Sequence, residues 1–342
     1  MDLWNRLKNA DKPIVLYGMG DGGDKIIKVL ESYGVSVSGV FASDGFVKKK
    51  LFHGMPLMTY AEALAAFGDM IVLVAFGTAI KDVLDNVRRI ASEQELYVPD
   101  VPVAGSTLFN EGFVKENADK LRFVFDRLAT ERDRFVFENL VRYKLSGKAE
   151  YLYAAEDTKE RTYSLLSPGN DEVYVDCGAF IGDTVAEFTG VAGGYRAVYA
   201  IEPDGRTFRK LCANTEGMEN VRLFNAAVSD KEGFTSFSAL GSRGSKQTES
   251  GVEIPTVSVD GILGGKEATF IKMDVEGMEG AAINGATHTI KTHRPKMFLS
   301  CYHRSEDLFD IPMRVLNIRD DYKIHIVHYP CLPAWDTAFI FV

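Results

Sequence analysis

The chain has 342 residues, 46% hydrophobic and 25% charged, with a formal net charge of −9. That is ordinary globular composition, long enough for about two domains. The acidic balance argues against a large nucleic-acid footprint, and no apolar run reaches the ~18 residues a membrane span needs, so a soluble cytoplasmic protein is expected.

Residues 13 to about 100 alternate strand and helix signals. Pro13-Ile14-Val15-Leu16-Tyr17 is apolar and runs into Gly18-Met19-Gly20-Asp21-Gly22-Gly23. A helix is predicted from about Asp24 to Tyr33, strands over Val35–Phe41 and Met70–Phe76, and a charged helix over Ile80–Ala91. Alternation of this kind implies a parallel sheet with helices on its faces. The glycine run satisfies GxGxxG between a strand and a helix, and Asp44 follows at about the distance of a ribose-binding acid. Asp21 inside the turn would oppose a pyrophosphate. Three readings stay open for this lobe: a nucleotide-sugar site, a dinucleotide site, and a degenerate packing or homodimerisation lobe. Lys48-Lys49-Lys50 is a small basic patch, more simply read as a solvated loop.

Asn110 to about Gly147 carries apolar residues at three- and four-residue steps, from Phe113 through Leu121, Val124 and Phe137 to Leu140. One or two amphipathic helices bridging the lobes are expected. The predicted organisation is an α/β lobe over residues 1–105, a helical connector over 106–165 and a second α/β domain over 166–342.

From Glu172 the alternation resumes, with buried strands predicted at Val173–Cys177, Ala197–Ile201, Val221–Phe224, Thr269–Met273 and Lys296–Cys301. Tyr322–His328 and Asp336–Val342 are joined by a link too short for a crossover helix, so this pair must be antiparallel. A polar glycine- and serine-rich stretch at 241–251 reads as a mobile loop.

The most informative stretch is Val173-Tyr174-Val175-Asp176-Cys177-Gly178-Ala179-Phe180-Ile181-Gly182-Asp183-Thr184. A strand enters glycines that let backbone approach a ligand, and a helix starts near Thr184. Ile201-Glu202-Pro203 places an acid about 20 residues later, the spacing at which a carboxylate receives ribose hydroxyls. The glycine spacing is GxxxG, and the strand ends carry Asp176, Glu202, Asp274 and Glu276. So many carboxylates repel a pyrophosphate but suit a sulfonium and an ammonium, which favours S-adenosylmethionine over NAD. Helix capping by some of these acids is the plainer alternative.

The ordered set Val175-Asp176-Cys177-Gly178, Ile201-Glu202-Pro203, Asn225-Ala226-Ala227-Val228-Ser229-Asp230, Val257-Ser258-Val259-Asp260 and Ile271-Lys272-Met273-Asp274-Val275-Glu276-Gly277 resembles the FkbM-type methyltransferases from about Asp171 to Val342. The resemblance implies a class I methyltransferase fold and methyl transfer to an oxygen of a small-molecule, sugar or natural-product acceptor. It also implies that Asp176, Gly178 and Gly182, with Asp183 and Thr184 beside them, hold the methionine part. Glu202 would hold the ribose, and Asn225, Ala226 and Ala227 would flank the adenine, with Asp230 nearby.

An alcohol acceptor must lose its proton, so a general base is sought. Lys272, Asp274 and Glu276 alternate and would share one side of a strand. Asp274 is expected on the cofactor and Glu276 on the acceptor; Lys272 is read equally as catalytic or as half of a buried ion pair. His303, ending the next strand, is the expected base because imidazole titrates near neutrality. Cys177, Cys212, Cys301 and Cys331 show no CxxC spacing, so neither a metal site nor a disulfide is read. An NAD-linked oxidoreductase working through the first lobe and a ribose 2′-O-methyltransferase are the alternatives.

Overall fold

The computed structural model describes residues 1–43, 51–238, 246–247 and 252–342. Asp44, the Lys48–Lys50 run and most of the polar stretch at 241–251 lie outside the described residues.

The first sheet forms from α1 (Leu3–Lys8), β1 (Ile14–Tyr17), α2 (Asp21–Ser32), β2 (Gly39–Phe41), β3 (Leu51–Phe52), β4 (Met55–Met58), α3 (Tyr60–Phe67), β5 (Ile71–Val74), α4 (Lys81–Glu93) and β6 (Glu95–Tyr97). Its order is β3-β4-β2-β1-β5-β6, parallel except where β3 meets β4. The central strands β1 and β5 are apolar at every position and fully buried, as helices on both faces require. The strand expected from Val35 begins only at Gly39. Val35 N–H goes back to Leu30 O and Ser38 N–H to Ile14 O, so these residues carry the chain from α2 onto the sheet.

The connector holds α5 (Glu111–Glu116), α6 (Ala118–Arg127), α7 (Glu131–Ser146), α8 (Ala149–Ala155) and α9 (Lys159–Leu166). Periodicity alone suggested one or two helices up to Gly147; there are three. The chain leaves the helix at Leu128, which bridges Ile324, and Ala129 N–H donates to Ile324 O. A reciprocal Thr130/Asp133 capping box then restarts it, and Gly147 in the left-handed region ends it. Asp133 is fully buried and also accepts from Arg161 at 2.6 Å and faces His325 Nδ1 at 2.9 Å. Burial would raise this carboxyl, but His325, Thr130 and Arg161 outweigh it and hold it at about 2.

The second sheet draws on β7 (Val173–Cys177), α10 (Asp183–Ala192), β8 (Ala197–Ile201), α11 (Gly205–Asn214), β9 (Val221–Phe224), β10 (Ala227–Val228), β11 (Gly233–Ser238), β12 (Lys246–Gln247), β13 (Val252–Val257), α12 (Val259–Leu263), β14 (Phe270–Met273), α13 (Glu279–Asn284), α14 (Thr287–His293), β15 (Lys296–Ser300), α15 (Asp307–Ile318), β16 (Ile324–His328) and β17 (Thr337–Phe341). The strand order is β16-β17-β15-β14-β7-β8-β9. The last hairpin is antiparallel, as the short link demanded, and β17 lies antiparallel against β15. A small side sheet, β10-β13-β11-β12, was not foreseen.

The lobes meet along the carboxyl ends of the second sheet. Ala104 N–H donates to His303 O at 2.8 Å and Ser305 Oγ to Thr107 O at 2.7 Å. Thr78 and Leu332 exchange two backbone hydrogen bonds of 2.7 and 2.9 Å. Gly77 lies beneath the Trp335 ring so closely that a Cβ would sit 2.0 Å from it.

Candidate active site

A cavity of about 1360 Å³ opens between these edges. Its floor is the carboxyl end of β7, β8 and β14; its far wall includes Thr78 and Gly105 of the first lobe and Trp335 of the last hairpin. This is where the crevice of a doubly wound sheet is expected.

The turn after β7 is set by close backbone packing. Gly178 has φ +84°, and a Cβ there would lie 1.9 Å from the carbonyl oxygen of Asp274. Only glycine permits both the conformation and the approach. Gly178 lines the cavity together with Asp183 and Thr184, while Gly182 caps α10 behind them. Asp176, expected to touch a ligand, lies instead beneath the floor. It is fully buried, accepts from Thr184 Oγ1 at 2.5 Å, and its other oxygen is 3.2 Å from Lys272 Nζ.

Lys272 donates to Gly178 O at 2.8 Å. Burial pulls its ammonium down, but Asp176 and Asp274 outweigh that and hold it above its ordinary value. A lysine held charged in this way is no base; it is the ion-pair partner of Asp176 and holds the glycine turn in place.

Glu202, at the end of β8, is buried yet lines the cavity. Phe180 N–H and Asp204 N–H donate to its two oxygens at 3.0 and 2.9 Å, leaving further lone pairs on each. Burial nevertheless pushes this carboxyl up to about 7. Asn225 does not line the cavity. Its amide donates to Glu202 O at 2.9 Å and Pro203 O at 3.1 Å and so clamps the turn that presents the acid. Ala226 is buried behind it, Ala227 reaches the cavity wall, and Asp230 is exposed.

The alternation expected of Lys272, Asp274 and Glu276 breaks, because β14 ends at Met273 and Glu276 sits in a turn at φ +54°. Asp274 and Glu276 still both line the cavity. The turn is held by Gly277, whose φ is +92° and where a Cβ would meet Ala104 at 2.5 Å. Tyr302, to which the sequence assigned no role, donates its hydroxyl to Asp274 Oδ1 at 3.0 Å.

His303 corrects the reading of the base. It is fully buried and does not reach the cavity. Nδ1 lies 2.9 Å from Glu279 Oε1, and Nε2 lies 3.5 Å from Asp274 Oδ1 and 3.8 Å from Glu276 Oε2. Burial alone would lower the imidazole, but Glu279, Asp274 and Glu276 outweigh it and push it up to about 9. It is protonated at neutral pH and cannot accept a proton there. Glu279 was missed. Its one signal was an acid three residues beyond Glu276, at the head of a mainly apolar helix.

Residues 176–321 match the family model described as the methyltransferase FkbM domain. Over the whole molecule the fold is similar to that of an FkbM methyltransferase from Methylobacillus flagellatus KT, at 23% identity and a TM-score of 0.73, covering 97% of this chain and 90% of that one. The likeness in fold therefore includes the first lobe and the connector as well as the segment that matches the FkbM model. Two further structures are similar over about half of the chain. One is a precorrin-6y C5,15-methyltransferase from Geobacter metallireducens (13% identity, TM-score 0.36, 54% of this chain and 85% of that one). The other is an Aeropyrum pernix fibrillarin with bound S-adenosyl-L-methionine (13%, 0.34, 52% and 69%). No curated protein matches the chain. The α/β architecture, with its parallel sheet closed by an antiparallel hairpin, is that of class I methyltransferases. Among the described residues no helix is long and apolar enough to cross a membrane.

Proposed function

We propose that the FkbM domain binds S-adenosylmethionine in the cavity beside Gly178 and Glu202 and transfers its methyl group to an oxygen of a small hydroxylated acceptor. The observation that carries this reading is the donor set. The glycine turn and the carboxylates Glu202, Asp274 and Glu276 line one cavity with Lys272, which is paired with Asp176, while Lys25, Lys159 and Arg304 also line the cavity. Such a lining suits a ligand with a sulfonium and an ammonium and disfavours a pyrophosphate. The cofactor would supply an electrophilic methyl group.

The chain's own residues then do three things. Glu202, once ionised, accepts the ribose hydroxyls while Asn225 holds its turn. Gly178 and Thr184 bring backbone and helix start against the methionine part. Asp274 and Glu276 face the acceptor side, where a carboxylate takes up the hydroxyl proton in place of His303. Trp335, Tyr302 and the segment at Ala104–Gly105 line the wall across from the glycine turn and would orient the acceptor for transfer. Isothermal titration calorimetry with S-adenosylmethionine and S-adenosylhomocysteine tests the reading, with NAD as control. One site per chain for the first two and none for NAD is expected; binding of NAD alone would overturn it.

A further inference from the structure

At the acceptor edge of the cavity Asp274 joins two buried side chains, Glu279 and His303, to which the methyl-transfer reading gives no part. Asp274, Glu279 and His303 each offer one ligand atom, and these atoms lie within 4.8 Å of one another. The Glu276 carboxylate is 3.8 Å from His303 Nε2. Three chain segments converge here: the turn after β14, the first turn of α13 and the residues following β15.

The second, independent observation is the state of the buried atoms. His303 and Glu279 are about fully buried. Both ring nitrogens of His303 and Oε2 of Glu279 have no aligned hydrogen-bond partner, although Nδ1 is 2.9 Å from Glu279 Oε1. In the ion-free chain the imidazolium is the one positive charge among these buried carboxylates, and it leaves polar atoms without aligned partners, a costly arrangement that a divalent cation relieves. An ion here binds the imidazole through one ring nitrogen and leaves the other to a neighbouring carboxylate, since Nδ1 faces Glu279 and Nε2 faces Asp274. The cluster is also braced. Val275 N–H donates to Glu279 Oε1 at 3.0 Å, Tyr302 Oη to Asp274 Oδ1 at 3.0 Å, and Ala104 N–H to His303 O at 2.8 Å.

We propose that Asp274, Glu279 and His303 form a binding site for one divalent transition-metal cation of the Mn²⁺ class, with Glu276 at its cavity edge. Mixed imidazole and carboxylate ligands select such an ion over Ca²⁺ or Mg²⁺, which prefer oxygen alone. The ion takes the place of the imidazole proton, which is released on binding. Resting on the methyl-transfer reading, its role is to hold the acceptor oxygen at the Asp274 edge of the cavity and ease loss of the hydroxyl proton.

The test uses the full chain, stripped with a chelator and free of cofactor and acceptor, so its outcome is independent of whether methyl transfer occurs. Free Mn²⁺ is followed by electron paramagnetic resonance during titration. The expected result is one equivalent taken up per chain, with a nitrogen coupling from one imidazole in the spin-echo spectrum. H303A and E279Q are each expected to weaken uptake by about 10-fold or more. No uptake by the native chain, or uptake without imidazole coupling, overturns the site even if the variants fail to fold. Native-like uptake by both folded variants overturns it as well.

Discussion

The molecule contains two parallel sheets, each with a glycine turn after its central strand, and they end in opposite ways. After β1, Gly18 packs against Phe76, where a Cβ would be 2.5 Å from the ring, and Gly23 packs against Phe52 at 2.9 Å. Tyr17 stacks on Phe41 and meets Phe76 edge-on, with ring centroids 4.7 and 4.8 Å apart. Aromatic rings from Tyr17, Phe41 and Phe76 pack beside this turn. After β7 the glycines border an open cavity, and the charge at the strand centre is the buried Asp176–Lys272 pair. A GxGxxG string can therefore mark a turn that packs, while a less conventional GxxxG marks one that opens. Both turns press a glycine against a backbone carbonyl of the neighbouring strand, Ala75 O at Gly22 and Asp274 O at Gly178; the difference is Phe76 packed on Gly18 in the first sheet and carboxylates in the second.

Four substitutions or conditions would break or sharpen that contrast. The largest effect is expected from Lys272→Met, which leaves Asp176 buried without its partner and should cost about 3–5 kcal/mol in denaturant unfolding. Gly178→Ala follows. A Cβ 1.9 Å from Asp274 O, at positive φ, should cost about 3 kcal/mol and weaken S-adenosylmethionine binding by about 100-fold in calorimetry. Native affinity in this variant would mean that the cofactor does not approach the turn.

The third is a pH dependence. Glu202 is pushed up to about 7 from 4.5. As pH rises between those values the unfolded chain ionises first, so the free protein loses stability over that interval. Cofactor binding prefers the ionised acid, and affinity should rise about 10-fold from pH 6 to 8, with Glu202→Gln flattening the profile. The smallest effect is expected from Gly20→Ala in the first lobe. Nothing lies within 4 Å of the added Cβ, so only the cost of φ +96° remains. It should lower stability by about 1 kcal/mol and leave cofactor affinity unchanged.

Much of this was legible in the chain itself. Mostly apolar runs such as Ile71–Val74 and, apart from Asp176, Val173–Cys177, alternating with helical stretches, determined two parallel sheets, because a strand buried on both faces is mostly apolar. The seven-residue link before Asp336 determined the antiparallel hairpin, because no crossover fits in it. The Gly178 turn and Glu202 were visible as glycine and acid at strand ends. What only the tertiary structure decided was which charges face one another. Asp176 reads like a ligand contact until Lys272 and Thr184 are seen to enclose it. His303 reads like a base until Asp274, Glu276 and Glu279, brought from other elements, surround it and keep it protonated. Periodicity reports burial, a property of one segment; protonation and pairing depend on distances between segments, which no local pattern encodes.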